Sequence, residues 1–313
     1  MARVGEVTRD FRFSTNVFGI PTREAFRERC RHLESVGFDV LFAADHLGAP
    51  APFPVLVAAA DATERLRVGT LVLNAPFWNA GLLAREIATT DVLTGGRLDV
   101  GLGAGHMKWE FDKAAIPWEP FGARAQRLEE TITDVQRFLS TELAALPNGS
   151  VPAPVQHVGF GGSGPPLIVG GTGDRILTIA GRHADVIGVA GVYQIPGQPP
   201  GTFRIGTAAE ADERVAFART AAGERNADVE WNLLVQAVVP APDRRAAATD
   251  LRTRFGGRMS VDEVLETPFL LIGTPEQMAE QLRERRERYG FTLVTVHEPY
   301  QEPFEPVVEL LHA

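Results

Sequence analysis

The stretch GFDVLFAADH, residues 37–46, decides the fold. From Val40 to Ala44 it is apolar without alternation, the pattern of a strand covered on both faces. Gly37 stops the helical pattern before it. The strand then ends on two ionisable side chains, Asp45 and His46. A core strand tolerates them where its end opens onto a pocket. The same order of helix, Gly-Phe, strand and acid beside histidine returns in GFTLVTVHE (290–298), which ends on His297 and Glu298.

Working outward, strands and helices alternate along the chain. FRFSTNVF (11–18) reads as the first strand, and a helix opened by Pro21 and Thr22 runs to about Val36. ADATERL (60–66) closes a helix before the strand RVGTLVLN (67–74). A helical pattern over 82–93 stops at Gly95 and Gly96, and RLDVGLGAG (97–105) gives the fourth strand. Further on, 166–171, 184–191 and 231–239 read as strands, with helices over 124–139, 176–182 and 210–222. Thr274, Pro275 and Gln277 mark a helix start with a capping box, and that helix runs to about Tyr289. After the eighth strand, 304–312 closes the chain as a helix. Eight strand–helix units imply an α/β fold, a closed parallel (β/α)8 TIM barrel, with one domain over 1–313. A doubly wound open sheet is the alternative. The irregular stretches 104–121, 141–165 and 191–209 read as insertions, the first and third at strand ends where such a barrel places its active site.

Composition narrows the classes. The chain has 313 residues, 44% hydrophobic, with a net charge of -9, which argues against a nucleic-acid or anionic-membrane surface as the main partner. Only Lys108 and Lys113 are lysines; the other basic residues are arginine. The single cysteine, Cys30, allows no internal disulfide and reads as a small buried hydrophobe. The start, MARVGEVTRDFRFS, is too polar for the apolar part of a secretion signal, and no apolar run approaches the length of a membrane span. The expected location is cytoplasmic.

Several polar groups fall at strand ends: Asp45 and His46, Asn74, His106, and His297 with Glu298. A carboxylate beside an imidazole can fix its tautomer and raise its basicity, so His46, Asp45 and His106 are the candidate catalytic residues. The blander alternative makes Asp45 a loop cap and His46 a satisfied surface histidine. Glycines form a second cluster. GLGAG (101–105) leaves a strand end free of side chains, and GGTG (170–173) sits between a strand and a helix, where amide groups can hold a phosphate. Ala190 and Gly191 end the next strand. No dinucleotide or Walker motif is present, and the histidines form no metal-binding pair.

These segments, with LAREIATTDVLTGGRLDVGLGAG, PPLIVGGTGDRILTIAGRHAD and FLLIGTPEQMAEQLRERRERYGF, resemble the luciferase-like monooxygenase superfamily, in particular its branch of deazaflavin-dependent oxidoreductases that use coenzyme F420. The resemblance implies a flavin or deazaflavin at the carboxyl ends of the strands. By it, Asp45 and His46 face the ring and the reacting carbon. Leu71, Val72 and Asn74 match a bulged third-strand end with a non-prolyl cis peptide behind the ring. Ala104, Gly105 and His106 lie beside the ring and the substrate. Gly170, Gly171, Thr172 and Gly173 match the phosphate loop, closed by Ala190 and Gly191. Relatives that oxidise a sugar phosphate carry a glutamate where this chain has His106, which argues against that activity. The expected reaction is hydride transfer between coenzyme F420 and a small organic substrate. FMN with a separate reductase, as in a two-component monooxygenase, is the alternative cofactor reading. A non-catalytic flavin-binding protein and a metal-dependent barrel hydrolase are the other classes, and a homodimer is the oligomer that relatives suggest.

Overall fold

The computed structural model describes residues 9–147 and 149–312; residues 1–8, part of the polar start MARVGEVTRDFRFS, lie outside the described residues. Eight parallel strands follow in chain order: Arg12–Val17, Val40–Ala43, Arg67–Thr70 with its continuation Leu73–Asn74, Leu98–Gly103, Leu167–Gly171, Val186–Val189, Glu230–Val235 and Phe291–Val296. They are strands one to eight. Each pairs with its neighbours in sequence, and strand eight pairs with strand one, so the sheet closes. The expected (β/α)8 barrel is therefore the observed fold, and every expected strand has its counterpart.

Helices over Arg23–Val36, Pro52–Ala62, Ala80–Leu93, Phe121–Arg137, Asp174–His183, Ala208–Ala222, Pro275–Tyr289 and Gln301–His312 cover the outside. Their ends follow from sequence. Thr22 caps the first helix by accepting from the Ala25 N–H at 3.1 Å, and Gly37 ends it at φ 103°, a left-handed conformation that glycine adopts without a Cβ penalty. Thr274 and Gln277 form the expected capping box, with Pro275 in the first turn. The helix expected to close with 60–66 ends earlier, at Ala62, because Thr63 takes an extended conformation.

Side-chain parity divides the core into two layers. Leu41 and Ala43 face outward to the helices, whereas Val40 and Phe42 fill the barrel with Ile168, Val186 and Leu293. Polar groups share that interior: Ser14 and Thr295 hydroxyls lie 2.7 Å apart, and Asn232 donates to Thr295 at 2.8 Å. Cys30 is fully buried as expected, and burial pushes its thiol up to about 11.

The structure corrects one strand. The run 231–239 is not a single element: the barrel strand ends at Val235, and Ala237–Pro240 pairs in parallel with Leu270–Gly273 outside the barrel. Gln236 makes the break, donating its backbone N–H to Phe269 O at 2.7 Å and its side-chain amide to Ala190 O at 3.1 Å. Helices Arg244–Arg254 and Val261–Glu266 complete this unit, and they fall in 240–273, where the sequence reading assigned no element. The insertion over 191–209 forms an antiparallel hairpin of Val192–Gln194 with Phe203–Ile205.

Candidate active site

A cavity of about 1690 Å³ opens at the carboxyl ends of the strands, and all eight strand ends contribute to its wall. Strand one gives Asn16 and Phe18, strand two Ala44 and His46, and strand eight His297. Strand three gives Leu71, Val72 and Asn74; strand four gives Gly103, Ala104, Gly105 and His106. Gly170 to Gly173 follow from strand five, Gly188 and Ala190 from strand six, and Asn232, Leu234 and Gln236 from strand seven.

The third strand end has an identifiable bulge. Gly69 pairs with Asp99 and Leu73 with Leu102, so one extra residue sits on strand three between these pairs. The Leu71–Val72 peptide there is cis, at the place the resemblance implies. Both residues turn onto the cavity wall. Asp45 anchors this bulge. Its carboxylate accepts the Asn74 backbone N–H at 3.0 Å and the Trp78 indole N–H at 2.9 Å. The Asn74 amide donates back to Asp45 O at 3.1 Å.

Asp45 therefore does not orient His46, and it is absent from the cavity wall. Gly191 is absent from it too. It is buried with φ 68°, and a Cβ there would lie 2.1 Å from the Phe269 ring. The reason is parity: residues 42, 44 and 46 continue the inward face of strand two, and Asp45 falls on the other. Every other sequence-predicted site residue, from His46 to Ala190, lines the cavity.

His46 finds a carboxylate elsewhere. Its Nδ1 lies 2.8 Å from Oε1 of Glu110, whose side chain is 1% exposed. Glu110 comes from the short helix Lys108–Lys113 in the 104–121 insertion. Sequence reading missed it because the residues lie 64 apart and no local pattern joins them. The His106 ring meets the His46 ring edge-on, with centroids 5.5 Å apart, and Phe203 of the hairpin covers it at the same distance. His106 is exposed to the cavity, yet the surrounding protein lowers its imidazole to about 4 through lost hydration, with His46 and Arg124 adding to the effect.

His297 lines the wall at the end of strand eight. Asn16 accepts the Glu298 N–H through Oδ1 at 3.0 Å, which leaves its Nδ2 to donate to His297 Nδ1 at 3.1 Å. Nδ1 is then the acceptor, and Nε2 carries the proton. Burial lowers this imidazole also. Glu298, on the outward parity, bonds instead to Arg29 and the Phe18 N–H.

At the glycine loop, the helix Asp174–His183 starts from Gly173 with no side chain capping its first turn. Those amides can receive an anion. Arg124, another residue sequence reading missed, stacks on Trp118 at 3.5 Å and lines the cavity; burial lowers its guanidinium, opposed by Glu119. Among the described residues no group of three or more His, Cys, Asp or Glu side chains could hold a metal ion, and no helix is long and apolar enough to cross a membrane.

Comparisons with known proteins agree with this architecture. The family model for luciferase-like monooxygenases matches residues 7–293. The chain is 27% identical over 304 residues to the F420-dependent glucose-6-phosphate dehydrogenase of Microbacterium testaceum, covering 85% of this chain and 84% of the relative. It is 32% identical over 116 residues to the oxygenase component of the flavin-dependent trigonelline monooxygenase of Acinetobacter baylyi, covering 36% of this chain and 32% of that one. Across several such curated relatives the matched stretch spans about a third to a half of their length. The solved coenzyme F420 dependent tetrahydromethanopterin reductase of Methanopyrus kandleri superposes with a TM-score of 0.70 at 19% identity over 97% of both chains. The EDTA monooxygenase of Chelativorans gives 0.70 at 15% identity, over 97% of this chain and 94% of its own. At these identities the structural likeness concerns the fold. With the family match running over nearly its whole length, the chain belongs to the luciferase-like monooxygenase family.

Proposed function

We propose that the protein is an oxidoreductase that binds the deazaflavin coenzyme F420 at the barrel mouth and transfers a hydride between it and a small organic substrate. The observation that carries this reading is the cavity itself. Its volume of about 1690 Å³ exceeds the roughly 300–1,000 Å³ that one small ligand needs. That volume leaves room for a tricyclic cofactor together with a substrate.

The wall also suits a flat ring. A Cβ on Gly103 would lie 2.7 Å from Val72, and one on Gly170 would lie 3.0 Å from the Gly188 carbonyl, so this surface stays flush only with glycine. Leu71, Val72, Asn74, Ala104, Gly105 and Ala190 would flank the ring. Gly170, Gly171, Thr172 and Gly173, with the uncapped helix amides, would hold its phosphate. A bound deazaflavin supplies the two-electron chemistry. The protein supplies the rest. His46 exchanges a proton with the substrate, and His106 stays neutral beside it. Asp45 fixes the strand-three end on which the ring would lie. The hairpin over 192–205 excludes water.

His46→Ala tests this. Turnover should fall by about 100- to 10,000-fold, the usual worth of a general acid or base, with cofactor affinity little changed. Unchanged turnover would remove His46 from the mechanism. A second reading, an FMN-dependent oxygenase fed by a separate reductase, draws support from the similarity to the trigonelline monooxygenase component. Substrate-dependent oxygen consumption with reduced FMN would favour it, and anaerobic turnover with coenzyme F420 would count against it.

A further inference from the structure

The insertion after strand four contributes a carboxylate that neither the barrel scaffold nor the cofactor wall requires. Glu110 is 1% exposed, and its Oε1 lies 2.8 Å from His46 Nδ1. Its Oε2 is buried without a hydrogen-bond partner among the described residues. A buried carboxylate with a single partner is costly, and a chain that only had to fill space would place an apolar side chain there. The neighbouring Phe111 fixes the helix rigidly. It is fully buried, its ring meets those of Phe77 and Trp118 at 4.9 Å, and it fills the space against Gly105.

We propose that Glu110 is a positioning residue: it holds His46 by Nδ1–H, so that Nε2 is the nitrogen presented to the cavity and the one that exchanges a proton. This inference rests on the proton-handling role of His46. A carboxylate accepts and does not donate, so Nδ1 keeps its hydrogen. The edge-on contact with the His106 ring, at 88° between planes, restrains the ring from the other side. When Nε2 takes a proton from substrate, the imidazolium gains the Glu110 charge as its counter-ion; when it returns the proton, the ring is already in the tautomer needed for the next cycle. Through the helix Lys108–Lys113, the loop that covers the cavity also sets the chemistry of strand two.

Nitrogen-15 spectra of histidine-labelled protein test the assignment without cofactor or substrate, with His46→Gln identifying the signals. In the wild type, His46 Nδ1 should keep its hydrogen throughout the titration of the ring, while Nε2 gains and loses the proton. Finding the hydrogen on Nε2 in the neutral ring would overturn the proposal. Glu110→Ala, and the bulkier Glu110→Leu if the alanine variant does not fold, remove the acceptor. Either should bring the Nε2–H form to a large share of the neutral population. A folded variant with the wild-type tautomer would also overturn it. The outcome is separable from that of the functional reading, since failure of cofactor binding leaves the tautomer result intact, and the reverse.

Discussion

Asp45 and His46 are adjacent in sequence and differ in job, because a strand turns successive side chains to opposite faces. Parity was legible in the sequence: counting inward from Phe42 gives Ala44 and His46, and from Leu293 gives Thr295 and His297. It assigns Asp45 and Glu298 to the outer face, where the structure has them bonded to backbone and to Trp78 or Arg29. Glu110 was not legible, since its contact depends on where an insertion folds back. Asp45→Ala strands the buried Asn74 N–H and the Trp78 N–H, and should lower stability by about 1–3 kcal/mol in denaturant unfolding; an unchanged midpoint would contradict the anchoring role. For His106 the folded-state value of about 4 lies below the ordinary 6.5. Between those values the unfolded chain takes up a proton that the folded protein refuses. Stability from this source is complete above 6.5 and declines as pH falls toward 4, and His297, lowered by burial, acts in the same sense. The unfolding midpoint should drop from pH 7 to pH 5, and His106→Gln should lessen that drop.

Elements were legible where hydrophobic pattern and cap agree, and less so where a run of apolar residues hides a change of partner. WNLLVQAVV is continuous in hydropathy, but Gln236 is satisfied by Phe269 and Ala190, and the chain changes sheets there. The helix Arg244–Arg254 escaped notice because only Ala248 and Leu251 are buried, which gives little periodicity; its N-cap Asp243, accepting from Arg245 and Ala246, was the signal available. At the bulge, glycine in strand four is a packing requirement. A Cβ on Gly101 would lie 2.2 Å from the Thr70 carbonyl oxygen, a backbone atom with no room to yield. Gly101→Ala should cost about 1–3 kcal/mol or more and weaken cofactor binding through strand three. Wild-type stability and affinity in that variant would mean the strands can separate without consequence.

Across the whole molecule, the alternation of eight strands and helices carried the closed barrel, and the barrel carried the location of the site. What the alternation leaves unstated is how the insertions meet over the mouth. The hairpin brings Phe203 onto His106, the 104–121 insertion brings Trp118 to the wall, and the helix Phe121–Arg137 that follows brings Arg124. Phe203→Ala opens that cover, so a substrate should show a raised KM while cofactor Kd stays within about twofold; equal losses in both would place the hairpin on the cofactor instead. In the proposed reading this cavity is a deazaflavin site. Trp118 lines it and Trp78 is bonded to Asp45 beside it, so two of the four tryptophans report on occupancy. The most direct measurement is a titration of the purified protein with coenzyme F420 and, separately, with FMN, read by tryptophan quenching. Saturable quenching by coenzyme F420 and not by FMN is the predicted result; quenching by FMN alone, or by neither, would contradict it.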